Sequence, residues 1–255
     1  MTGKSHERLV SGQFGSQAAA YLKSAVHAGG ADLDQLENLV LGQSAARVLD
    51  LGCGAGHVSY RAAPHVAEVI AYDLSSAMLA AVRRTAAERG LSNVTTKAGT
   101  VEALPFPDQS FDFVFSRFSA HHWLDFRGGL GEARRVLKHE GRALFIDSLS
   151  PGKPFLDTFL QAIELLRDHS HVRNYSREEW EQALIAVALK PSTVTERRLP
   201  LQFSTWIERM RTRDSHVAAI RSLQNLISSE VAAHFDIQTD GSFTLDTVAI
   251  EASAN

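Results

Sequence analysis

The chain has 255 residues and a single cysteine, Cys53, so it is long enough to bury a core and cannot form an intrachain disulfide. Hydrophobic residues make up 44% and charged residues 22%, which is typical of a folded globular protein. The formal net charge of -3, with basic residues dispersed along the chain, argues against a nucleic-acid partner, because it produces no general attraction to polyphosphate.

The amino-terminal residues 1–10 are polar and charged and lack the apolar core of a signal peptide. No apolar run approaches the roughly 18 residues that a membrane-spanning helix needs. One cysteine also leaves no cysteine-based zinc site, and no metal is expected. These observations predict a cytoplasmic protein without a membrane span.

Strand-like and helix-like segments alternate from residue 47 to residue 148. The predicted strands are 47–51, 68–74, 93–98, 111–116 and 142–147, and the predicted helices are 57–66, one capped by Ser75 or Ser76, and 130–138. This alternation indicates right-handed βαβ units, and therefore an α/β fold with a parallel sheet and helices on both faces.

The segments on either side of this core are richer in helix. Residues 14–41 are largely helical in pattern, so 1–46 is predicted to be an amino-terminal helical cover of the domain at 47–255. Further helices are predicted at 155–166, 177–187, 205–210 and 217–235, and further strands at 192–201 and 242–252. The helices between the last two strands predict a helical cap inserted at 203–238, over the carboxyl edge of the sheet.

The strongest motif is the run VLDLGCGAGH at residues 48–57. An apolar strand enters three alternating glycines, Gly52, Gly54 and Gly56, and a helix follows. Glycine suits this turn because the backbone must reverse sharply and a ligand can lie directly against it. A dinucleotide-binding loop would place its third glycine at residue 57, which is His57, so this spacing argues against a nicotinamide cofactor.

An acidic residue ends the second predicted strand. Asp73 lies 21 residues after Gly52, and a carboxylate at that strand end can accept hydrogen bonds from both hydroxyls of a ribose. The next apolar residues, Leu74 and Met78, offer a surface to an adenine ring or, alternatively, belong to the core. The pattern thus predicts an adenosine-containing ligand.

The glycine loop, with Asp50 two residues ahead of Gly52, resembles the class I S-adenosylmethionine-dependent methyltransferases. Residues 99–106 (GTVEALPF) are similar to that family's segment Gly-Asp-Ala-Glu-x-Leu-Pro-Phe. The paired histidines at 121–122 resemble those of the small-molecule type that includes the ubiquinone and menaquinone methyltransferases. The resemblance implies a Rossmann-like sheet, mostly parallel with an antiparallel carboxyl-terminal strand, helices on both faces and a helical cap.

The resemblance also implies a cofactor, S-adenosyl-L-methionine, and its product S-adenosyl-L-homocysteine. The residues that would bind it are Asp50, Gly52, Gly54, Gly56, Asp73, Leu74, Met78, Thr100, Val101 and Ser116. Thr100 departs from the family, which has Asp there to bind the adenine amino group. A hydroxyl can accept that hydrogen bond without charge, so its contribution is expected to be smaller.

His121 and His122 are the candidate catalytic residues, because a neutral imidazole can take a proton from the acceptor near pH 7. Their structural alternative is helix capping or packing against Trp123. The candidates for contact with the acceptor are Tyr21, Arg117, Phe203 and Trp206.

The expected function is in-line methyl transfer from S-adenosylmethionine to a small-molecule acceptor, with oxygen, carbon and nitrogen all open as the accepting atom. Two alternatives remain at this point. One is a non-catalytic protein of the same fold that binds S-adenosylmethionine or S-adenosylhomocysteine. The other is a nicotinamide-dependent oxidoreductase, which Gly56 and His57 oppose.

Overall fold

The computed structural model describes residues 5–15 and 29–254. Its strands are β1 Arg47–Leu51, β2 Glu68–Asp73, β3 Val94–Ala98, β4 Phe111–Arg117, β5 Leu137–Ser150, β6 Tyr175–Ser176, β7 Leu189–Leu201 and β8 Phe243–Ala254. Its α-helices are α1 His6–Gly15, α2 Ala31–Val40, α3 His57–Ala62, α4 Ser76–Glu88, α5 Phe126–Val136, α6 Pro154–Arg167, α7 Arg177–Ala186, α8 Phe203–Met210, α9 Asp214–Leu226 and α10 Ser229–His234. Short 3-10 turns follow α3 and β4.

The strands form one mixed sheet in the order β3-β2-β1-β4-β5-β8-β7, and the short β6 pairs with β5 off this path. Strands β3, β2, β1, β4 and β5 are parallel, whereas β8 runs antiparallel to both of its neighbours. The prediction of a Rossmann-like, mostly parallel sheet with an antiparallel carboxyl-terminal strand is confirmed.

Alternate residues of the central strands pack into two cores on opposite faces of the sheet. In β1, Leu49 and Leu51 join one core with residues of α5 and α7, whereas Val48 joins the other core with residues of α2 and α3. Central parallel strands are covered on both sides, so they appear in the sequence as continuous apolar runs. This is why β1, β2 and β4 were predictable. The edge strand β3 is only partly buried and carries more polar residues.

Several helices begin or end elsewhere than predicted. The predicted helix 57–66 ends at Ala62 and continues as a 3-10 turn that contains Pro64. The predicted helix 217–235 is two helices, because Ser228 interrupts it and caps α10 through the backbone N–H of Val231. Helix α5 begins at Phe126, ahead of the predicted start at residue 130.

The early start of α5 has a local cause, and a glycine in its first turns has a packing role. Asp125 caps it by accepting a hydrogen bond from the backbone N–H of Gly128. The ring of Trp123 packs where a β-carbon of Gly129 would lie, so a glycine that lowers helix propensity is required here by packing.

Helices α8, α9 and α10 occupy the connection between β7 and β8. Helix α6 packs against α9 and α10, and an apolar cluster that includes Phe159, Trp206, Ile220 and Phe235 joins all four helices. Among the described residues, none of the helices is long and apolar enough to cross a membrane.

Candidate active site

A cleft lies along the carboxyl ends of the parallel strands. Residues at or just after those ends line it: Gly52 after β1, Asp73 on β2, Gly99 after β3 and Arg117 on β4. In open α/β sheets the ligand crevice lies at this edge, where the strand order reverses, here between β1 and β4. The cleft continues past both paired histidines to residues of β7, α8 and β8.

The glycine loop forms one wall of the cleft. Gly52 and Gly54 have φ angles of 71° and 48°, a left-handed conformation that favours glycine. The carbonyl of Tyr72 fixes the turn by accepting hydrogen bonds from the backbone N–H groups of Gly52 (2.8 Å) and Cys53 (3.0 Å). A β-carbon at Gly54 would meet no atom within 4 Å, so the space beside this backbone is open to a ligand.

Asp50 lines the cleft and is 1% exposed. Its Oδ2 accepts hydrogen bonds from Ser59, one from the backbone N–H (3.0 Å) and one from the hydroxyl (2.6 Å). Burial raises the pKa of this carboxyl to about 7, against the lowering effect of the Ser59 hydrogen bonds. A cationic group in the cleft would offset the burial and favour the ionised form.

Asp73 ends β2, and its carboxylate bonds both to the glycine loop after β1 and to the turn before α4. Its Oδ2 accepts a hydrogen bond from the backbone N–H of Gly54 (2.9 Å), and its Oδ1 accepts one from the backbone N–H of Ser75 (2.8 Å). Burial raises the pKa of Asp73. Each oxygen keeps a second lone pair, so this carboxylate can also accept hydrogen bonds from a diol in the cleft.

Leu74, Met78, Thr100 and Val101 line the same end of the cleft. The Thr100 hydroxyl donates to the carboxylate of Glu102, which also lines the cleft. The Thr100 oxygen accepts a hydrogen bond from the backbone N–H of Glu102 (3.4 Å), and its second lone pair is left for another donor. A negative charge is present next to the position where the family has Asp, although Thr100 itself is neutral.

Two predicted cofactor-binding residues lie outside the lining of the cleft. A β-carbon at Gly56 would meet the ring of Tyr60 and the side chain of Val82, so this glycine is required by packing at the start of α3. Ser116 is 2% exposed, and its hydroxyl has no hydrogen-bond partner among the described residues.

His121 forms a pair with a buried carboxylate on β5. Its Nδ1 donates to Oδ1 of Asp147 (2.5 Å), and the other oxygen of Asp147 accepts from the backbone N–H of His121 (3.3 Å). Burial lowers the pKa of His121, but the charge and hydrogen bond of Asp147, with smaller contributions from Glu164 and Asp168, outweigh it, so the pKa lies above the usual value for histidine. With Nδ1 bonded to Asp147, Nε2 is the nitrogen that can accept a proton.

His122 is bonded differently. Its Nδ1 donates to the backbone carbonyl of Ser170 (3.0 Å), and its own carbonyl accepts a hydrogen bond from Nε2 of His6 on α1 (2.8 Å). Burial and then the neighbouring His121 lower the pKa of His122 to about 4. His122 lines the cleft, and its hydrogen bonds connect it to α1 and to the segment around Ser170.

The four residues predicted to contact the acceptor fall in different places. Tyr21 lies outside the described residues. Trp206 lines the cleft, with the guanidinium of Arg167 4.9 Å from its ring centroid. Arg117 lines it too, and its Nε donates to the carboxylate of Asp32 (2.5 Å). Phe203 packs in the apolar cluster of α6 and α8, outside the lining of the cleft.

Sequence reasoning missed several residues that line the cleft or support it. Those are Asp147, which holds His121, and the lining residues His6, Ser119, Glu164, Asp168 and Asn174. Asp147 had a usable signal, because it closes the apolar run of β5 at the carboxyl edge of the sheet. The others come from helices and loops whose position only the tertiary structure fixes.

The donor set of the cleft fits S-adenosylmethionine. Asp73 suits the ribose diol, the open backbone at Gly54 suits close approach of the ligand, and Asp50 is a buried carboxylate that a cation would stabilise. Sheet order, glycine spacing and strand-end carboxylates together define a class I S-adenosylmethionine-dependent methyltransferase.

The comparisons with known proteins agree. A family model described as a methyltransferase domain matches residues 49–145. The chain is 45% identical over 201 residues to the uncharacterised protein YafE of Escherichia coli K12, which covers 79% of this chain and 97% of YafE. It is 38% identical to the uncharacterised methyltransferase YcgJ of Bacillus subtilis over 88% of each chain. The crystal structure of YcgJ aligns with a TM-score of 0.85 over 88% of this chain and 98% of that one, at 35% identity.

A shorter match reaches the quinone-modifying enzymes. The ubiquinone/menaquinone biosynthesis C-methyltransferase UbiE of Geobacter sulfurreducens is 35% identical over 109 residues, 41% of this chain and 43% of UbiE. The chain belongs to the S-adenosylmethionine-dependent methyltransferase family. It is an enzyme that uses S-adenosylmethionine as its methyl donor.

Proposed function

We propose that the enzyme methylates an oxygen or an acidic carbon of its small-molecule acceptor, and that His121 removes the proton from that atom. The observation that carries this proposal is the His121–Asp147 pair in the same cleft as the glycine loop. Asp147 fixes the tautomer of the ring and stabilises the imidazolium that proton transfer produces. An amine acceptor has less need of such a pair, because it can lose its proton before it binds.

The cofactor-binding roles are part of the proposal. Asp73 holds the ribose, the backbone of Gly52 and Gly54 lies against the amino-acid portion, and Asp50 faces its ammonium group. Leu74, Met78 and Val101 surround the adenine ring, and Thr100, with Glu102 beside it, accepts a hydrogen bond from the adenine amino group. Their positions along one wall of the cleft support these roles.

When bound, S-adenosylmethionine supplies a methyl group activated on a sulfonium, and the electrons of the broken C–S bond leave on sulfur as a neutral thioether. The acceptor's electron pair forms the new bond to the methyl carbon, and the acceptor's proton passes to Nε2 of His121. The protein therefore has to align the acceptor, exclude water and take one proton. It needs no acid for the leaving group.

The test begins with calorimetric titration of the protein with S-adenosylmethionine, S-adenosylhomocysteine and NADH. We expect both adenosyl ligands to bind with one site per chain and NADH not to bind. Acceptors are then screened by release of S-adenosylhomocysteine with three groups of compounds: phenols, enols and amines. Turnover confined to amines would contradict the proposed use of a base.

The variant that tests the base is His121→Asn, which keeps an N–H near the position of Nδ1 for Asp147 and removes Nε2. We expect turnover to fall by about 10²-fold or more while the affinity for S-adenosylhomocysteine is unchanged. His122→Asn is the matched control, since His122 is the neighbouring largely buried histidine and bonds to Ser170 instead. An equal loss in both variants, or a His121→Asn enzyme within a few-fold of wild type, would refute the assignment.

A further inference from the structure

Asn174 is a buried polar residue of the cleft that the cofactor-binding roles do not use. It is 1% exposed, it lines the cleft, and its Nδ2 has no hydrogen-bond partner among the described residues. Ser116 and Trp180 also have buried polar atoms without a partner there, but neither lines the cleft. A buried donor without a partner costs free energy, so its presence at a ligand cleft needs an explanation.

The backbone of Asn174 is held in place from both sides. The side-chain amide of Gln161 on α6 accepts from the backbone N–H of Asn174 (3.0 Å) and donates to its carbonyl (2.8 Å). The same Gln161 oxygen accepts from Nε2 of His171 (2.8 Å). The next residue, Tyr175, pairs with Leu149 of β5. These bonds fix the position from which the Asn174 side chain starts.

Residues 171–173, which precede Asn174, pack against His121, the proposed base. The backbone carbonyl of His121 accepts hydrogen bonds from the backbone N–H groups of Val172 (2.8 Å) and Arg173 (3.2 Å). The ring of His171 lies 5.8 Å from the ring of His121, centroid to centroid. His121 and Asn174 therefore belong to one fixed unit of the cleft, with a proton acceptor on one residue and an unpaired amide donor on the other.

We propose that Asn174 binds the methyl acceptor by donating a hydrogen bond from Nδ2 to an oxygen next to the atom from which His121 takes the proton. The acceptor is then an enol or a phenol with an adjacent carbonyl oxygen. The inference rests on the proposed function and adds no bond-making step to it. The acceptor's proton still passes to His121, and the oxygen bound by Asn174 shares the negative charge that remains.

The probes are 2-acetylphenol and 2-isopropenylphenol, which have similar shapes and the same phenolic proton but differ in the carbonyl oxygen. Their affinities are measured by calorimetry with S-adenosylhomocysteine at saturating concentration. We expect wild-type protein to bind 2-acetylphenol about tenfold more tightly. In Asn174→Leu that ratio should fall to near one, while the affinity for S-adenosylhomocysteine is unchanged.

Thermal unfolding of the unliganded variant separates ligand binding from a structural role. Leu has the same branched shape and no unpaired donor, so Asn174→Leu should unfold at the same temperature as wild type or a higher one. A lower Tm would indicate that Asn174 serves the fold and would count against the proposal. Asn174→Asp is the second variant, because it keeps the shape and also lacks the Nδ2 donor, and it should lose the same preference for 2-acetylphenol.

Three results would overturn the inference: equal affinity of the two probes for wild-type protein, failure of 2-acetylphenol to bind, or an unchanged ratio in both Asn174 variants. Failure of S-adenosylhomocysteine to bind is a different result and would contradict the cofactor-binding roles of the proposed function. The cofactor titration, done first, distinguishes the two.

Discussion

Three carboxylates lie at or near the carboxyl ends of parallel strands of the sheet, and each has a different partner. Asp50 on β1 accepts from Ser59, and Asp73 on β2 accepts from the backbone of the glycine loop. Asp147 on β5 bonds to the ring of His121. The first two therefore stabilise backbone turns around the predicted cofactor end, whereas the third acts on a side chain that can exchange a proton. The partner of each carboxylate, more than its place on a strand, indicates its role.

The effect of Asp147 on His121 can be measured without an acceptor. The carboxylate raises the pKa of His121 against a burial effect that lowers it. In Asp147→Asn the burial effect remains, the charge of Asp147 is gone, and only the weaker raising effects of Glu164 and Asp168 are left, so we expect the pKa of His121 to fall. Titration of the His121 ring protons by NMR measures it, with the resonance assigned from its loss in His121→Asn.

The same shift predicts the pH dependence of the reaction. The base must be neutral to accept a proton, so kcat/KM should rise as the pH increases through the raised pKa of His121 and then become constant. In Asp147→Asn the rise should move to lower pH, and the plateau should be lower because the ring has lost its fixed orientation. A pH profile that does not move in this variant would show that another group is titrating.

At the scale of elements, the loop between β1 and α3 contains two glycines that look equivalent in the sequence. Both have a positive φ and both line the cleft. A β-carbon at Gly52 would collide with the side chain of Ser119, whose hydroxyl accepts a hydrogen bond from the indole of Trp123 (3.1 Å). A β-carbon at Gly54 would meet nothing. The two positions should therefore respond differently to the same substitution.

We expect Gly52→Ala to lower the free energy of unfolding by about 2–4 kcal/mol and Gly54→Ala by about 1–2 kcal/mol. The left-handed backbone contributes to both, whereas the displacement of Ser119 applies to Gly52 alone. Urea unfolding of the two unliganded variants gives the comparison, and each serves as the control for the other. Both should bind S-adenosylhomocysteine more weakly, because the added methyl group lies in the cleft. Equal destabilisation would contradict the role given to Ser119.

The strands that could be predicted from the sequence are those that are buried on both faces of the sheet. Strands β1, β2 and β4 are covered on both faces, so their apolar runs are unambiguous. The start of α5 was obscured by three glycines in its first turns, one of which is required by the ring of Trp123. The break between α9 and α10 was missed because the apolar stripe continues across Ser228.

The site was predictable to the extent that it is local in sequence. The glycine loop, Asp73 and the paired histidines were found because each lies beside a recognisable strand end. Asn174 could not be found in this way, since its unpaired donor depends on how α6 and β6 meet the segment that carries His121. The family pattern likewise indicated contact for Gly56, whereas packing against Tyr60 and Val82 accounts for that glycine.

At the scale of the whole molecule, different parts of the chain line the two ends of the cleft. Residues between 50 and 123 form the end proposed to bind the cofactor and carry the paired histidines. The far end is lined by Leu199 and Leu201 of β7, Trp206 of α8 and Leu245 of β8. Trp206 belongs to the insertion between β7 and β8, and the three leucines lie on the strand ends that flank it. We propose that this part of the chain faces the acceptor.

Because the two ends of the cleft are lined by different residues, substitutions at one end should affect acceptor use and substitutions at the other should affect cofactor affinity. Leu245→Ala removes an apolar wall of the far end, so we expect it to change the order in which a panel of acceptors is used. The affinity for S-adenosylhomocysteine should stay within about twofold of wild type. Leu245 is 3% exposed, so the variant should also be less stable, by about 2–5 kcal/mol. Met78→Ala, at the end proposed to bind the cofactor, is the control. It should lower the affinity for S-adenosylhomocysteine and leave the order of acceptors unchanged. Equal effects of both variants on both ligands would argue against separate ends.

The insertion between β7 and β8 also bears on how such an enzyme can diversify. The segment matched by the methyltransferase family model, residues 49–145, ends before any residue of that insertion. Mutations in β7, α8 and β8 can therefore accumulate without altering the glycine loop or Asp73. A gene duplicate could acquire a new substrate through changes in this segment alone and retain its methyl donor throughout. For laboratory evolution of acceptor specificity, the corresponding choice is a mutant library restricted to the residues of β7, α8 and β8 that line the far end of the cleft.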